Sequence, residues 1–301
     1  MKKTLMIVQN KDNYFFQFVK QEDIDIVDAY TGDSLLHKII RKIPLLASLV
    51  YGSWKSSLDL YSRIIVYDSI YNKTLGNYLK NHTAHKNIFI YCWNTAIDNK
   101  QKKLLKNAKK MFPVYSFDRK DCERYKLNYA SMVYSSDALS KKAPSRYEYD
   151  VIFVGKDKGR VDYLFQIYKS LKEQKFRPYF YILGEERKEY TAEDFVFGKK
   201  YLSYNENVRL INASRAILDI QQDGQEGITL RIVEAMFYEK KIITNKLDIN
   251  EYDFYSDNNI FILNKNDIMN ISEFLNSKFK AIPKEVIDRY DLKYWKEYYF
   301  N

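Results

Sequence analysis

The chain has 301 residues, 46% of them hydrophobic, with a net charge of +10, so two domains of roughly 150 residues, each with its own core, are expected. Cys92 and Cys122 alone give no disulfide framework, and His37, His82 and His85 lack the company that a zinc site requires. No apolar run approaches the ~20 residues of a membrane span and no signal-peptide series opens the chain, which points to the cytoplasm.

The first half reads as strands at TLMIV (4–8), IDIVDAY (24–30), RIIVYDS (63–69), NIFIYCWN (87–94) and MFPVYSFD (111–118), with helically spaced stretches such as NKTLGNYLKN and TAIDNKQKKLLKNAKK between them. Within this half, LLHKIIRKIPLLASLVYGSWKSSL (35–58) mixes basic residues with Leu, Ile, Val and Trp. It reads either as a basic amphipathic helix suited to an anionic membrane surface or as a pair of helices covering the first sheet. SKKAPSRYEYD (140–150), with Pro144 and clustered charge, breaks the alternation and reads as a linker.

The alternation restarts with the strand YDVIFVG (149–155), a helix through DYLFQIYKSLKEQ, the strand RPYFYILG (177–184) and a helix near NENVRLINASR. The strand AILDIQ (216–221) follows, then a loop and helix, and the strands KKIITN (240–245) and NIFIL (259–263). KEVIDRYDLKYWKEYYF reads as a terminal helix. Short, nearly continuous apolar strands alternating with helices imply an α/β fold of two Rossmann-like doubly wound domains facing across a cleft. The domains are expected at 1–143 and 144–283, with 284–301 as the terminal helix. Ligands of such sheets bind beyond the carboxyl ends of the strands.

Two stretches of the second half carry chemistry. In QQDGQEGITLRIVEAMF, Gly224 and Gly227 flank Glu226, and a helix is expected to begin near Ile228 or Thr229. A helix start offers unpaired N–H groups and partial positive charge, which suits a phosphate. Arg231 in its first turn is poorly placed for the helix dipole and is expected to reach toward an anion instead. Glu226 and Glu234 are too far apart for an i, i+4 pair, so they would flank a ligand lying across the helix start. The second stretch, FVGKDKGR (153–160), brings Lys156, Lys158 and Arg160 to a strand-end turn with Gly155, where cations can neutralise a diphosphate. It serves equally as a solvated basic turn.

E-G-I-T-L-R-I-V-E, followed by A-M and the strand KKIIT, resembles the E-x7-E region of GT-B glycosyltransferases, especially the retaining family 4 enzymes and the bacterial lipopolysaccharide and capsule transferases. The resemblance implies that Glu226 contacts the donor sugar and that Glu234 holds the ribose hydroxyls of its nucleotide. It makes the second domain the donor side, with Gly155, Gly224, Gln225, Gly227, Ile228 and Thr229 lining the donor and Lys156 and Arg160 acting on its diphosphate, where the helix-start position of Arg231 adds a further cation. The family commonly has proline at the position of Arg231 and glycine near Thr229, so local contacts with the donor differ here.

On the first, acceptor-side domain, polar residues at strand ends are Asp68, Trp93, Asn94, Ser116 and Asp118. Asp118 serves equally as an N-cap. Asp23 and Asp25 match the D-x-D metal pattern of the other main glycosyltransferase fold but read as strand-edge charge. The expected activity is therefore metal-independent transfer of a sugar, hexose by frequency, from a nucleotide-diphosphate donor, without a cofactor. The acceptor is a glycan or lipid-linked molecule of a bacterial surface polysaccharide, met at the inner face of the cell membrane, and the resemblance implies retention of configuration. The alternative is a non-catalytic nucleotide-sugar or glycan-binding GT-B subunit. The 28 tyrosines and 18 phenylalanines fall mostly in strand-like runs, and without a nucleic-acid signature no nucleic-acid partner is expected.

Overall fold

The computed structural model describes residues 3–83, 87–96, 98–139, 146–221, 224–264 and 266–300. His85 and, within the expected linker, residues 140–145 with Pro144 lie outside them. The chain forms two compact units. The first holds residues up to Met132 together with Gln225–Gly227 and those from Lys296 onward; the second holds Val133–Gly224 and Ile228–Trp295.

The first unit contains β1 (Thr4–Val8), β2 (Ile24–Asp28), β3 (Arg63–Tyr67), β4 (Ile88–Cys92), β5 (Val114–Ser116) and β6 (Asn128–Tyr129). All pairings are parallel, in the order β2-β1-β3-β4-β5-β6. β1, β3 and β4 are buried at every position, as parallel strands covered on both faces must be. The second unit contains β7 (Tyr149–Lys156), β8 (Pro178–Leu183), β9 (Phe195–Gly198), β10 (Ser214–Asp219), β11 (Lys241–Thr244) and β12 (Ile260–Ile262). These run parallel in the order β12-β11-β10-β7-β8-β9. The chain winds outward from β7 through β8 and β9, then restarts on the other side of β7 with β10. The carboxyl ends of β7 and β10 therefore flank a switch in strand order, where doubly wound sheets bind ligands.

Helices alternate with these strands. In the first unit they are α1 (Leu35–Ile40), α2 (Lys73–His82), α3 (Asn99–Ala108) and α4 (Arg119–Tyr125). α5 (Val161–Glu173), α6 (Tyr204–Ala213), α7 (Leu230–Phe237), α8 (Ile271–Asn276) and α9 (Lys284–Asp288) belong to the second, and α10 (Leu292–Tyr299) begins there. The helical spacing of Leu164, Ile167, Tyr168 and Leu171 lays α5 on a core with Phe153, Phe180, Ile182 and Leu218.

Three differences from the sequence reading have local causes. β6 and β9 are two and four residues long, too short for a period to show. Residues 35–58 form neither a long amphipathic helix nor a pair of helices: α1 ends at Ile40, and 3-10 turns follow at Ala47–Val50 and Ser53–Ser56. Pro44 lacks an amide hydrogen and disfavours helix in the residue before it. The expected single terminal helix is two, α9 and α10.

The end of the chain is built into the first unit. The Lys296 ammonium, 1% exposed, meets Asp23 at 3.2 Å and the Gln21 side chain at 3.3 Å. Arg63 grips the Glu297 carboxylate through two bonds of 2.8 and 3.0 Å. The Phe300 ring lies 5.4 Å from Phe89 and 4.6 Å from Tyr115. Phe300→Ala is therefore expected to cost about 3 kcal/mol of unfolding free energy. Urea denaturation measures it, and a loss under about 1 kcal/mol would contradict this core role.

Candidate functional site

β7 ends at Lys156 and turns through Lys158 (φ 50) and Gly159 (φ 77) into α5. Just before that helix, the Asp157 carboxylate accepts the amides of Arg160 and Val161, each at 3.1 Å. The Arg160 guanidinium donates to the carbonyl of Lys156 at 3.0 Å and to that of Ile220. β10 ends at Asp219, which is fully buried. One oxygen of Asp219 accepts the Thr229 hydroxyl at 2.7 Å and Arg231 Nε at 3.0 Å, and stands 2.9 Å from Arg231 Nη2 in an ion pair. Arg231 Nη1 also donates to the Val154 carbonyl at 3.3 Å.

Both guanidiniums stand over the Phe153 ring, at 5.2 Å for Arg160 and 5.4 Å for Arg231. Gly155 makes room for them: a Cβ there would lie 3.1 Å from Arg231 Nη1 and 3.5 Å from Arg160 Nη2. Thr229 is the N-cap residue of α7, yet its hydroxyl goes to Asp219, so the first turn of α7 has no side-chain cap. Unlike a capped start, it retains amide hydrogens for a ligand.

The cations crowd one another. Burial lowers the Arg160 pKa to about 10, and Arg231 adds to the effect. Lys158 is also lowered, first by burial and then by Arg160, Arg231 and Lys156. Two acids stand among them, and both are engaged: Asp219 by Arg231, and Asp157 by Arg187 at 2.8 Å. Buried Arg160 Nε and the second oxygen of Asp219 have no hydrogen-bond partner among the described residues. Such a cluster relieves its repulsion by taking up an anion of more than one charge.

Of the residues singled out in the sequence, Gly155, Lys156, Arg160, Thr229 and Arg231 come together here in the second unit, with Ile228 buried beside Thr229. Gly224 takes a positive φ of 80°. Arg231 does reach an anion, and it is Asp219. Sequence reasoning missed that acid, although it ends the strand AILD as Asp68 ends RIIVY, and the same strand-end rule would have found it.

Gln225, Glu226 and Gly227 group instead with the first unit. Asp118, fully buried, accepts the amides of Glu226 and Gly227 at 3.1 and 3.0 Å and the Thr95 hydroxyl at 3.3 Å. Its other oxygen accepts the Asp121 amide at 3.2 Å as N-cap of α4. Gly227 is needed because a Cβ there would stand 2.4 Å from the Phe117 ring. The half-buried Glu226 carboxylate pairs with Lys120 at 2.5 Å.

At the remaining first-unit strand ends, buried Asp68 accepts the Trp93 amide at 3.0 Å and the Asn94 side chain at 3.3 Å. Burial raises its pKa to about 6 against those hydrogen bonds. Trp93 is half-buried among Tyr14, Phe16 and Tyr67, with centroids 6.2, 6.0 and 5.5 Å away, and Asn94 is exposed. Ser116 is buried and accepts the Asp118 amide at 3.2 Å. Asp25 pairs with Lys3 at 2.8 Å and accepts the Tyr61 hydroxyl at 2.6 Å. With Asp23 on Lys296, both acids of the D-x-D pattern are engaged in ion pairs.

Glu234 lies inside α7, 3% exposed, beside Tyr204 and Asn207, and its Oε1 has no hydrogen-bond partner among the described residues. The Tyr204 and Tyr134 hydroxyls share a bond of 2.5 Å, and burial and the Glu234 charge hold both phenols far above their ordinary pKa. Burial raises Glu234 from 4.5 to about 7, opposed by Tyr204, Arg231 and Asn207. Between these values the folded chain holds a proton that the unfolded chain does not, so stability falls as pH rises from about 4.5 to about 7. The charged form costs on the order of 3 kcal/mol. Glu234→Gln should remove this slope and be the more stable protein at pH 8, as urea titrations at several pH values measure; an unchanged slope would contradict the assignment.

No protein-family model and no curated protein matches the chain. Solved structures do match in fold. The Anabaena protein HepE, in complex with UDP and glucose, aligns with a TM-score of 0.60 at 10% identity over 99% of this chain and 98% of its own. Sucrose-phosphate synthase from Thermosynechococcus elongatus aligns with a TM-score of 0.54 at 8% identity over 100% and 95%. A glycosyltransferase from Rickettsia africae aligns with a TM-score of 0.53 at 14% identity over 99% and 96%. The two parallel six-stranded sheets with their helices are the α/β two-domain architecture of the GT-B glycosyltransferases.

Proposed function

We propose that the chain is a metal-independent glycosyltransferase that moves a sugar from a nucleotide-diphosphate donor to a glycan or lipid-linked acceptor. The cluster of Lys156, Lys158, Arg160 and Arg231 at the carboxyl ends of β7 and β10, beside the uncapped start of α7, carries this reading. The fold likeness to glycosyltransferases supports it, as does the HepE complex with UDP and glucose. As the bond between the anomeric carbon and the diphosphate oxygen breaks, negative charge collects on the leaving nucleoside diphosphate. Fixed cations and helix-start amides stabilise that charge more than they stabilise the bound donor, and they supply what a metal ion would otherwise provide. The acceptor hydroxyl oxygen bonds to the anomeric carbon, and its proton passes to the departing diphosphate.

In this reading Lys156, Arg160 and Arg231 act on the diphosphate, with Gly155, Gly224, Gln225, Gly227, Ile228 and Thr229 lining the donor. Glu226 meets the donor sugar. Glu234 offers a buried, unpartnered carboxylate oxygen suited to a ribose hydroxyl. Asp68, Trp93, Asn94 and Asp118 serve the acceptor side. The likeness of the E-x7-E stretch to retaining family 4 enzymes supports retention of configuration and a role in bacterial surface polysaccharide. One observation favours the non-catalytic alternative: the Glu226 carboxylate is already engaged by Lys120 at 2.5 Å.

A thermal-shift panel of UDP-, GDP-, ADP-, CMP- and dTDP-linked sugars should yield at least one nucleotide that raises the melting temperature. Lys156 is exposed, its ammonium 5.3 Å from the Tyr201 ring, so Lys156→Gln should fold normally and bind that donor about tenfold more weakly. No stabilisation by any donor sinks the reading, whereas binding without sugar transfer or donor hydrolysis favours the binding subunit.

A further inference from the structure

Residues 35–49 present apolar side chains that are exposed among the described residues. Leu35 is 75% exposed, Leu45 92% and Leu49 67%, with Leu36, Ile39 and Leu46 also exposed. Spacings of three and four residues, at Leu35 to Ile39, Leu36 to Ile39, Leu45 to Leu49 and Leu46 to Leu49, place them in groups along successive turns. Those turns are held by backbone bonds from Arg41 to His37, Leu46 to Ile43 and Leu49 to Leu46, each 2.9 to 3.0 Å.

The segment is anchored from beneath. Ala47, Tyr51, Trp54 and Leu58 belong to the first unit's core, and Val50 is buried as well. The Thr31 amide bonds Val50 at 2.9 Å, and the Trp54 indole bonds Ala29 at 3.2 Å. The exposed leucines thus ride on a packed base. Exposed apolar surface of this extent marks an interaction site.

Charge selects the occupant. Lys38, Arg41 and Lys42 lie in the segment, which holds no acid; Asp33, two residues before it, pairs with Lys38 at 3.1 Å and Arg41 at 3.7 Å. A second copy docked through the same face would oppose like charges across a two-fold axis, whereas an anionic surface meets them favourably. No helix among the described residues is long and apolar enough to cross a membrane, so contact is at the surface.

We propose that residues 35–49 are a docking face for an anionic lipid bilayer, with Leu35, Leu36, Leu45 and Leu49 entering the headgroup region and Lys38, Arg41 and Lys42 meeting the phosphates. This deepens the proposed reaction, on which it rests for the lipid-linked acceptor such a bilayer would carry. The vesicle test needs neither donor nor acceptor, so its failure and the failure of the donor reading are separate results.

The full chain should co-sediment with vesicles of phosphatidylcholine and phosphatidylglycerol, weakly with phosphatidylcholine alone, and less as salt rises. Leu45→Ser with Leu49→Ser should weaken binding to the anionic vesicles at least about tenfold. Lys38→Gln with Lys42→Gln should weaken it by about tenfold as well. All four side chains are surface-facing or partly so, and circular dichroism with urea titration confirms that each variant folds. Equal binding to both vesicle types, or unchanged binding by the leucine variant, overturns the proposal. So does a dimer that the leucine variant dissociates, which would assign the face to a second copy.

Discussion

The cation cluster of the second unit depends on one buried acid. Asp219 ends β10 without exposure to water, and burying it is tolerable because Thr229 and Arg231 each bring a hydrogen bond to one oxygen, where the Arg231 guanidinium also forms an ion pair. That arrangement has consequences outward. It takes the hydroxyl that would have capped α7, and it turns Arg231 toward the end of β7. There Arg231 meets Arg160 across Gly155, on the face of Phe153. Removing the partner of such a buried charge typically costs about 3–5 kcal/mol, so the cations are held by structure before any ligand arrives. Preorganised charge of this kind is what stabilises a leaving diphosphate.

Asp118 plays a comparable part in the first unit. A single fully buried carboxylate starts α4 and fixes both the Thr95 hydroxyl and the amides of Glu226 and Gly227. The helix-cap reading of Asp118 is met by one carboxylate oxygen, while the other holds groups of the chain itself. Its hold on the Glu226 and Gly227 backbone, with Phe117 against Gly227, determines where the Glu226 carboxylate stands.

Most strands were legible because a parallel strand buried on both faces is a short, nearly continuous apolar run: TLMIV is β1 residue for residue, and RIIVY is β3. The helix carrying Glu234 was legible from its apolar period and began within two residues of the expected place. What stayed hidden depends on partners distant in sequence. Nothing local to Asp118 announces a bond to residues more than a hundred positions away, and nothing local to Gly227 announces the Phe117 ring packed against it. In residues 35–58 the composition was informative and the element was not, since Pro44 divides what the apolar and basic pattern alone would draw as helix.

The cations at the carboxyl ends of β7 and β10 are proposed as a diphosphate site. A crystal structure of the chain with a nucleoside diphosphate tests it most directly. The account predicts diphosphate oxygens within hydrogen-bond reach of Arg160, Lys156 and the first amides of α7, with Arg231 keeping its bonds to Asp219. A nucleotide bound elsewhere, with these side chains left to water, would contradict it.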